Sequence, residues 1–551
     1  MNFFDQVKQL TKDMVAIESI VRKDSGESNV AKYIYDFYQS LDYFKEHPDQ
    51  VVLQKTINDP IDRHNCISLV RGTKGNSNKT IILLGHIDTV GVDDYHDFKD
   101  IAFDADALLE KFKQIKVSDK VREDIESGNY LFGRGSLDMK SGVAGHMAIM
   151  DYFSKHPEEL DGNLVHVGEC DEEDNSHGII SALSVFDEWK EKFNLEYIAA
   201  INADYSIPND QDNESRNVYL GTIGKLLPGF YVYGKETHVG EAFGGLDPNQ
   251  IMAEITKQMN LNTDLCDEAQ NEVTIPPMGL KQSDTKVGYT VQTALSAYGY
   301  FNYFTHAMSP KQVMDNVKQV AIRSFDQVID DINANYKKFC QLKGLDYEPR
   351  PWKTRVYTFQ ELYDEVEKAK GPEFTEAYEK FTQDLHQEEH DLDLRLFSNR
   401  VIEWIWDHWV DDKSPAVIIY FGSIYSAPIE ITGKDEGEKK LVQAVKESIE
   451  LVQKGYDKKI YTKYFYPFIS DSSFMKIDDD EEGLKALEKN MPSWGSKYIH
   501  PTEAVKKINV PVINMGTIGY DGHKVTERVD MEYTFRVIPE MLYHTLKKLL
   551  D

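Results

Sequence analysis

Short apolar runs that stop at polar, acid-rich segments dominate the first 205 residues. Residues 66–70 and 80–84 are such runs, and unbroken apolar stretches of this length predict strands buried in a sheet. The second run continues into GHIDTVG. Two further runs, NLVHVGEC and YIAAINAD, lead to the acids at 171–173 and to Asp204. Helical spacing alternates with these runs. Phe4, Val7, Leu10, Met14 and Val15 share one face, Met139, Val143, Met147 and Met150 another, and a third helix is predicted over 178–192. Residues 92–130 are polar and read as a surface excursion with one helix over 108–115. Strands alternating with helices predict an α/β domain with a mostly parallel sheet. Such sheets place their sites just past strand ends, where the acids fall here.

The pattern changes near residue 215. VQTALSAYGYFNYFTHAM reads as a strand, and a helix follows from Pro310 with Ser309 at its start. Residues 330–400 are charged and helical, and PAVIIYFGSIYSAPIEI returns to a strand pattern. Helical spacing resumes near 436 and again over 539–550. The economical reading is one α/β domain, 1–215 and 431–551, split by an inserted α+β domain, 216–430, with an extra helical region near 330–400.

Composition narrows the class. A chain of 551 residues exceeds one ordinary domain, and 41% hydrophobic content supports real cores. Sixty-two basic against 93 acidic residues give a net charge of −31, which argues against nucleic acid or an anionic membrane as partner. Cys66, Cys170, Cys266 and Cys340 are scattered and form no CxxC pair, so neither a zinc knuckle nor a disulfide framework is expected. The first residues lack the order of a signal peptide, and no run is apolar enough to span a bilayer, so the expected location is cytoplasmic.

The candidate chemistry centres on LFGRGSLDMKSGVAG, residues 131–145, which sets Asp138 between a glycine-rich turn and a helix. Taken alone, Asp138 is an ordinary helix cap. His86 alone is an ordinary core histidine, Glu172 and Glu173 a solvated loop, and Asp204 and His523 turn residues. Together they form a set of imidazoles and carboxylates without thiolate, which suits zinc, cobalt or manganese at a hydrolytic centre. In a strand, His86 and Asp88 point to one face, so Asp88 is placed to orient His86. Adjacent Glu172 and Glu173 point apart, so one can hold metal while the other stays free as a base.

These blocks resemble the co-catalytic metallopeptidases and amidohydrolases of the M20 group. The family's HxD motif corresponds to His86-Ile87-Asp88, and GRGxxDxKxG to residues 133–142 with Arg134, Asp138 and Lys140. DEE corresponds to Asp171-Glu172-Glu173, and the acid ending the next strand to Asp204. The late histidine in GYDGHKVTE is His523, and the lid motif GKxxHxG carries His238. The resemblance implies two divalent metal ions, zinc first, with cobalt or manganese as alternatives. Asp138 would bridge them, Glu173 and His523 would complete one site, and His86 and Asp204 the other. Asp88 would support His86, and Glu172 would act as the base. His238, from the inserted lid or dimerisation domain, would stabilise the oxyanion after closure or from a second subunit. Asp471 and Glu527 would support the site, while His96, His146, His166 and His177 match no motif and read as structural. Family lids commonly carry an Asp-x-Arg that holds a substrate carboxylate; Asn302-Tyr303-Phe304 stands there without the arginine.

The activity implied is hydrolysis of an amide in a small N-acyl amino acid. The long block 219–249, the enlarged insert and ISDSSFM resemble an arginine-utilisation branch of the family, which points to arginine or ornithine derivatives. A dipeptidase or aminopeptidase on the same centre is the alternative. A ligand-binding relative without turnover is a third, which the intact Glu172 counts against. The expected partner is a small amide or peptide, and the chain is expected as a monomer or homodimer.

Overall fold

The computed structural model describes residues 2–23, 26–208 and 214–550. It divides into two compact units. The first comprises Met1–Thr222, Ile429–Ile477 and Pro501–Asp551; the second comprises Ile223–Pro428 and Asp478–His500.

The first unit is built on an eight-stranded sheet. Its strands are β1 (Val51–Lys55), β2 (His64–Arg71), β3 (Lys79–His86), β4 (Asn163–Glu169), β5 (Glu196–Asn202), β6 (Arg216–Tyr219), β7 (Ile460–Lys463) and β8 (Val512–Asn514). They lie in the order β1-β2-β4-β3-β5-β8-β6-β7. The centre, β4-β3-β5-β8, is parallel, and β1 and β2 add antiparallel strands at one side. Every residue of β4 is buried, as is all of β3 after Lys79. Burial on both faces explains why these strands read as unbroken apolar runs rather than alternating ones.

Helix α1 (Lys140–Lys155) packs against the strand ends, and Gly142 sets how closely. A Cβ there would lie 2.5 Å from the Ala203 carbonyl oxygen, so only glycine allows this approach. The buried Lys140 ammonium donates to the carbonyls of Met14 (3.0 Å) and Ile17 (2.7 Å), tying the end of the N-terminal helix Phe4–Val15 to the start of α1. That helix buries Val7, Leu10, Met14 and Val15, the face its spacing predicts. His146 and His166 sit in the core, where burial pushes the His146 imidazole down to about 3.

The excursion at 92–130 holds two α-helices where the apolar pattern predicts one. They are Ala105–Gln114, capped by Asp104, and Asp119–Ser127, capped by Ser118. The second was hidden because Val121 and Ile125 are its only apolar residues. They join Tyr95, Leu108, Phe112 and Phe132 in a small core of their own.

The second unit has its own sheet. Ser296–Thr305 pairs with Met278–Asp284 and with Pro228–Tyr233, and Ala416–Phe421 and Val356–Thr358 follow. The long helix Pro310–Lys343 starts in a capping box, where the Ser309 hydroxyl accepts from the Gln312 amide and the Gln312 side-chain oxygen accepts from the Ser309 amide, as the Ser-Pro start predicts. Three helices, Phe359–Lys370, Pro372–Glu388 and Leu394–Trp409, fill the charged region. They bury Phe359, Phe374, Phe397 and Trp406 with Tyr231, Tyr233 and Ile418 of the sheet; Trp406 stacks on Tyr233 with 4.6 Å between ring centroids. Residues beyond 431 also contribute to this unit. Helix Glu481–Lys489 packs on Pro310–Lys343, and Phe421 donates its amide to the Asn490 carbonyl at 2.8 Å. Nothing in the hydrophobic pattern distinguishes that segment from the first unit's helices.

Candidate metal centre

The candidate residues of the first unit come from five separate places along its chain. His86 ends β3 and Asp88 lies two residues on; Glu172 and Glu173 follow β4; Asp204 follows β5; Asp138 precedes α1; and His523 sits in the turn after Gly519–Tyr520. Parallel central strands bring their carboxyl ends to one edge of the sheet, which is what gathers residues so distant in sequence.

Asp138 is the hub. Its Oδ1 faces His86 Nε2 at 2.9 Å and its Oδ2 faces His523 Nε2 at 2.8 Å. His523 Nε2 is also 2.9 Å from Glu173 Oε1. Ligand atoms of His86, Asp138 and Glu173 all lie within 4.8 Å of one another, a spacing that can hold a metal ion. Glu172 Oε2 lies 3.9 Å from His86 Nε2. Among the described residues its carboxylate receives no hydrogen bond.

Asp88 does more than face His86. Its two carboxylate oxygens accept from the amides of Glu172 (3.2 Å) and Glu173 (3.0 Å), which fixes the turn that aims these acids. The nearer partner of His86 Nδ1 is the Asp88 carbonyl at 3.2 Å, with the carboxylate at 3.6 Å. Either contact leaves Nε2 aimed at Asp138.

Glu527 holds Asp138 from behind. Its Oε1 accepts from the amides of Leu137 (3.1 Å) and Asp138 (3.4 Å), and Arg134 donates to Oε2 at 2.6 Å. Arg134 is itself pinned by Asp94 (3.0 Å) and the Gly91 carbonyl (3.2 Å). Both oxygens of Glu527 are therefore engaged, and the residue positions rather than reacts. Glu527→Gln, which removes the ion pair with Arg134, is expected to weaken metal binding by about 10- to 100-fold in competition with a chelator.

A second buried arginine holds Asp171. Arg63 donates to Asp171 Oδ1 at 2.5 Å and to both oxygens of Asp59, and the Asp171 amide donates to Glu27 at 2.9 Å. Asp171 has φ 69°, so this network stabilises a left-handed turn just before Glu172. His177 Nδ1 lies 2.5 Å from Asp171 Oδ2. Arg63 lies in a polar stretch with no pattern around it, and sequence reasoning missed it.

The electrostatics call for positive charge. Burial, with the charge of Asp138 added, pushes the Asp204 carboxyl up to about 8. Burial likewise raises Glu172 and Glu173, and it pushes Asp471 up to about 7. His523 moves the other way: burial alone would lower it, but hydrogen bonds to Asp138 and Glu173 outweigh that and push it up to about 10. Protons and divalent cations compete for the same lone pairs. The donor set fits a pair of hard or borderline cations, because it is carboxylate and imidazole only and one carboxylate turns its two oxygens to two different imidazoles.

A pH dependence follows for the metal-free protein. A ring whose folded pKa exceeds its ordinary value of about 6.5 contributes stability fully below that pH and loses it as pH rises through about 10. Scanning calorimetry of chelator-treated protein is expected to show Tm falling between pH 6.5 and 10, with a shallower fall in His523→Ala.

His238 belongs to the second unit. It is exposed and caps the turn Val239–Gly244, its Nδ1 accepting from the Gly240 amide at 3.0 Å. In the neutral ring that leaves the proton on Nε2, a donor. Asn302, Tyr303 and Phe304 lie in the strand Ser296–Thr305, with Tyr303 opposite Leu226 and Phe304 opposite Lys225.

Residues 82–547 match the model of peptidase family M20/M25/M40. The chain belongs to this family. Protein RocB of Bacillus subtilis (strain 168) is 35% identical over 555 residues, covering 100% of this chain and 96% of RocB. Protein YqjN of the same organism, itself uncharacterised, is 32% identical over 551 residues, covering 99% and 96%. Among solved structures, a tripeptidase from Staphylococcus aureus subsp. aureus mu50 aligns over 100% of this chain and 99% of its own, with TM-score 0.53 and 13% identity, a likeness of fold. As an M20 family member the protein is a metallohydrolase. Among the described residues no helix is long and apolar enough to cross a membrane.

Proposed function

We propose that the protein hydrolyses the amide bond of a small N-acyl amino acid, with an arginine or ornithine derivative as the first candidate. The observation that carries the reading is Asp138, whose two oxygens face two separate histidines, beside the Glu172 carboxylate, which receives no hydrogen bond among the described residues. The full-length likeness to RocB supports the arginine-related choice. Two divalent cations, zinc in the first instance, would be held by Asp138 between them, by Glu173 and His523 at one position, and by His86 and Asp204 at the other. Bound there, such a pair lowers the pKa of water towards neutrality and polarises a carbonyl.

The chain's own residues supply the rest. Glu172 accepts the proton of the attacking water at its carboxylate and returns it to the departing amine nitrogen. Asp88 keeps Glu172 and Glu173 aimed through their amides. His238, brought by closure of the second unit or supplied by a second subunit, would donate its Nε2–H to the oxyanion of the tetrahedral intermediate.

The test is amine release from N-acyl amino acids and from dipeptides by full-length protein reconstituted with zinc, cobalt or manganese. Turnover of acylated arginine or ornithine, with kcat falling in His238→Ala, is the expected result. Turnover confined to dipeptides would replace the reading with a peptidase. Metal binding without any turnover would replace it with a ligand-binding role.

A further inference from the structure

Two aromatic residues beside the centre play no part in the hydrolytic steps. Tyr205 directly follows Asp204, and Phe468 lies just before Asp471. Their rings stack with centroids 5.3 Å apart and 17° between planes. The Tyr205 centroid is also 6.5 Å from that of the His523 ring. The turn bearing His523 closes directly on Tyr205: a Cβ on Gly522 would lie 2.9 Å from Tyr205 Cζ and 3.0 Å from its hydroxyl oxygen. The position of the pair is fixed from below. The Tyr205 amide donates to Asp204 Oδ1 at 2.7 Å, and its carbonyl accepts from the Tyr466 hydroxyl at 2.7 Å. Tyr466 packs edge-on against Phe468, with centroids 5.6 Å apart.

Both residues remain partly exposed, and among the described residues the Tyr205 hydroxyl has no hydrogen-bond partner. Buried tyrosines usually find a partner for that group, so this one is not there to complete a core network. A flat, apolar group laid against the pair gains apolar contact and ring stacking.

Resting on the hydrolase reading above, we propose that Tyr205 and Phe468 form the specificity surface of this site, receiving a flat, apolar group carried next to the scissile amide. The substrate class this selects is an N-acyl amino acid whose acyl group is unsaturated or aromatic rather than short and saturated.

The test is calorimetric titration of the full-length, zinc-reconstituted protein with benzohydroxamate and acetohydroxamate, chelating probes that differ by one ring. Wild type is expected to prefer benzohydroxamate. Tyr205→Ala and Phe468→Ala are each expected to reduce that preference by about 3- to 10-fold, and Tyr205→Phe, which keeps the ring, to retain it. Should the alanine variants lose zinc, Phe468→Leu removes the ring while keeping apolar volume, and the same drop is expected. A preference unchanged in these variants, or equal affinities in wild type, would overturn the specificity surface and leave the hydrolase reading standing. If neither probe binds wild type, the metal centre falls, and the specificity surface with it.

Discussion

Replacing Glu172 with glutamine is expected to lower kcat by about 10²- to 10⁴-fold, the usual worth of a positioned general base. Metal content and KM are expected to stay near wild type. The separation follows from geometry. Glu173 makes the 2.9 Å contact to His523, whereas Glu172 reaches no closer than 3.9 Å to His86 and receives no hydrogen bond among the described residues. Glutamine keeps the shape and the backbone bond from the Glu172 amide to Asp88, and removes only the ability to take a proton. Steady-state kinetics with metal analysis of the same preparation decides the matter. A variant within threefold of wild type, or one that has lost its metal, would move the base elsewhere.

Asp138→Asn is expected to have the second large effect, by a different route. A carboxylate offers an oxygen to each of His86 and His523; an amide offers one oxygen and, on the other side, an N–H group. Only one side can then offer a lone pair to a cation, because an N–H group cannot ligate. Metal analysis after dialysis is expected to find about one ion per chain or fewer in place of a pair, with turnover lost. Full occupancy in Asp138→Asn would show that the bridging role lies with another residue. The loss is expected to be specific, since Glu527 holds the backbone of residues 137 and 138 and contacts neither oxygen of Asp138.

Much of this site was legible in the chain because its parts sit at strand ends. A buried parallel strand must be apolar along its length, so the polar residue that ends it stands out, as His86 and Asp204 do. Motif order then tied His86, Asp138, Glu173 and His523 together, and the structure links these four in a run of contacts from His86 through Asp138 and His523 to Glu173. The family assignment rested on the same blocks. Less was visible where burial is polar. Arg63 and the Arg134–Glu527 pair are held by partners up to 393 positions away, and no periodicity announces an ion pair between distant segments. Tyr205 was passed over because an aromatic beside a ligand-type acid looks like any other loop residue until its stacking partner is known. The helix Asp119–Ser127 escaped for want of apolar positions. The segment 478–500 escaped because its helix carries the same amphipathic pattern wherever it packs.

That last segment has a topological consequence. The chain passes between the two units at four points, after Thr222, Pro428, Ile477 and His500. Neither unit can be lifted out as one continuous piece, and a single protease nick in any connection leaves both attached through the remaining three. A gene fragment spanning 223–428 would encode the strands and long helix of the second unit without the helix Glu481–Lys489 that packs on it. Dissection of this protein into independently expressed halves therefore requires splicing, with 478–500 rejoined to its partner by a linker, rather than truncation.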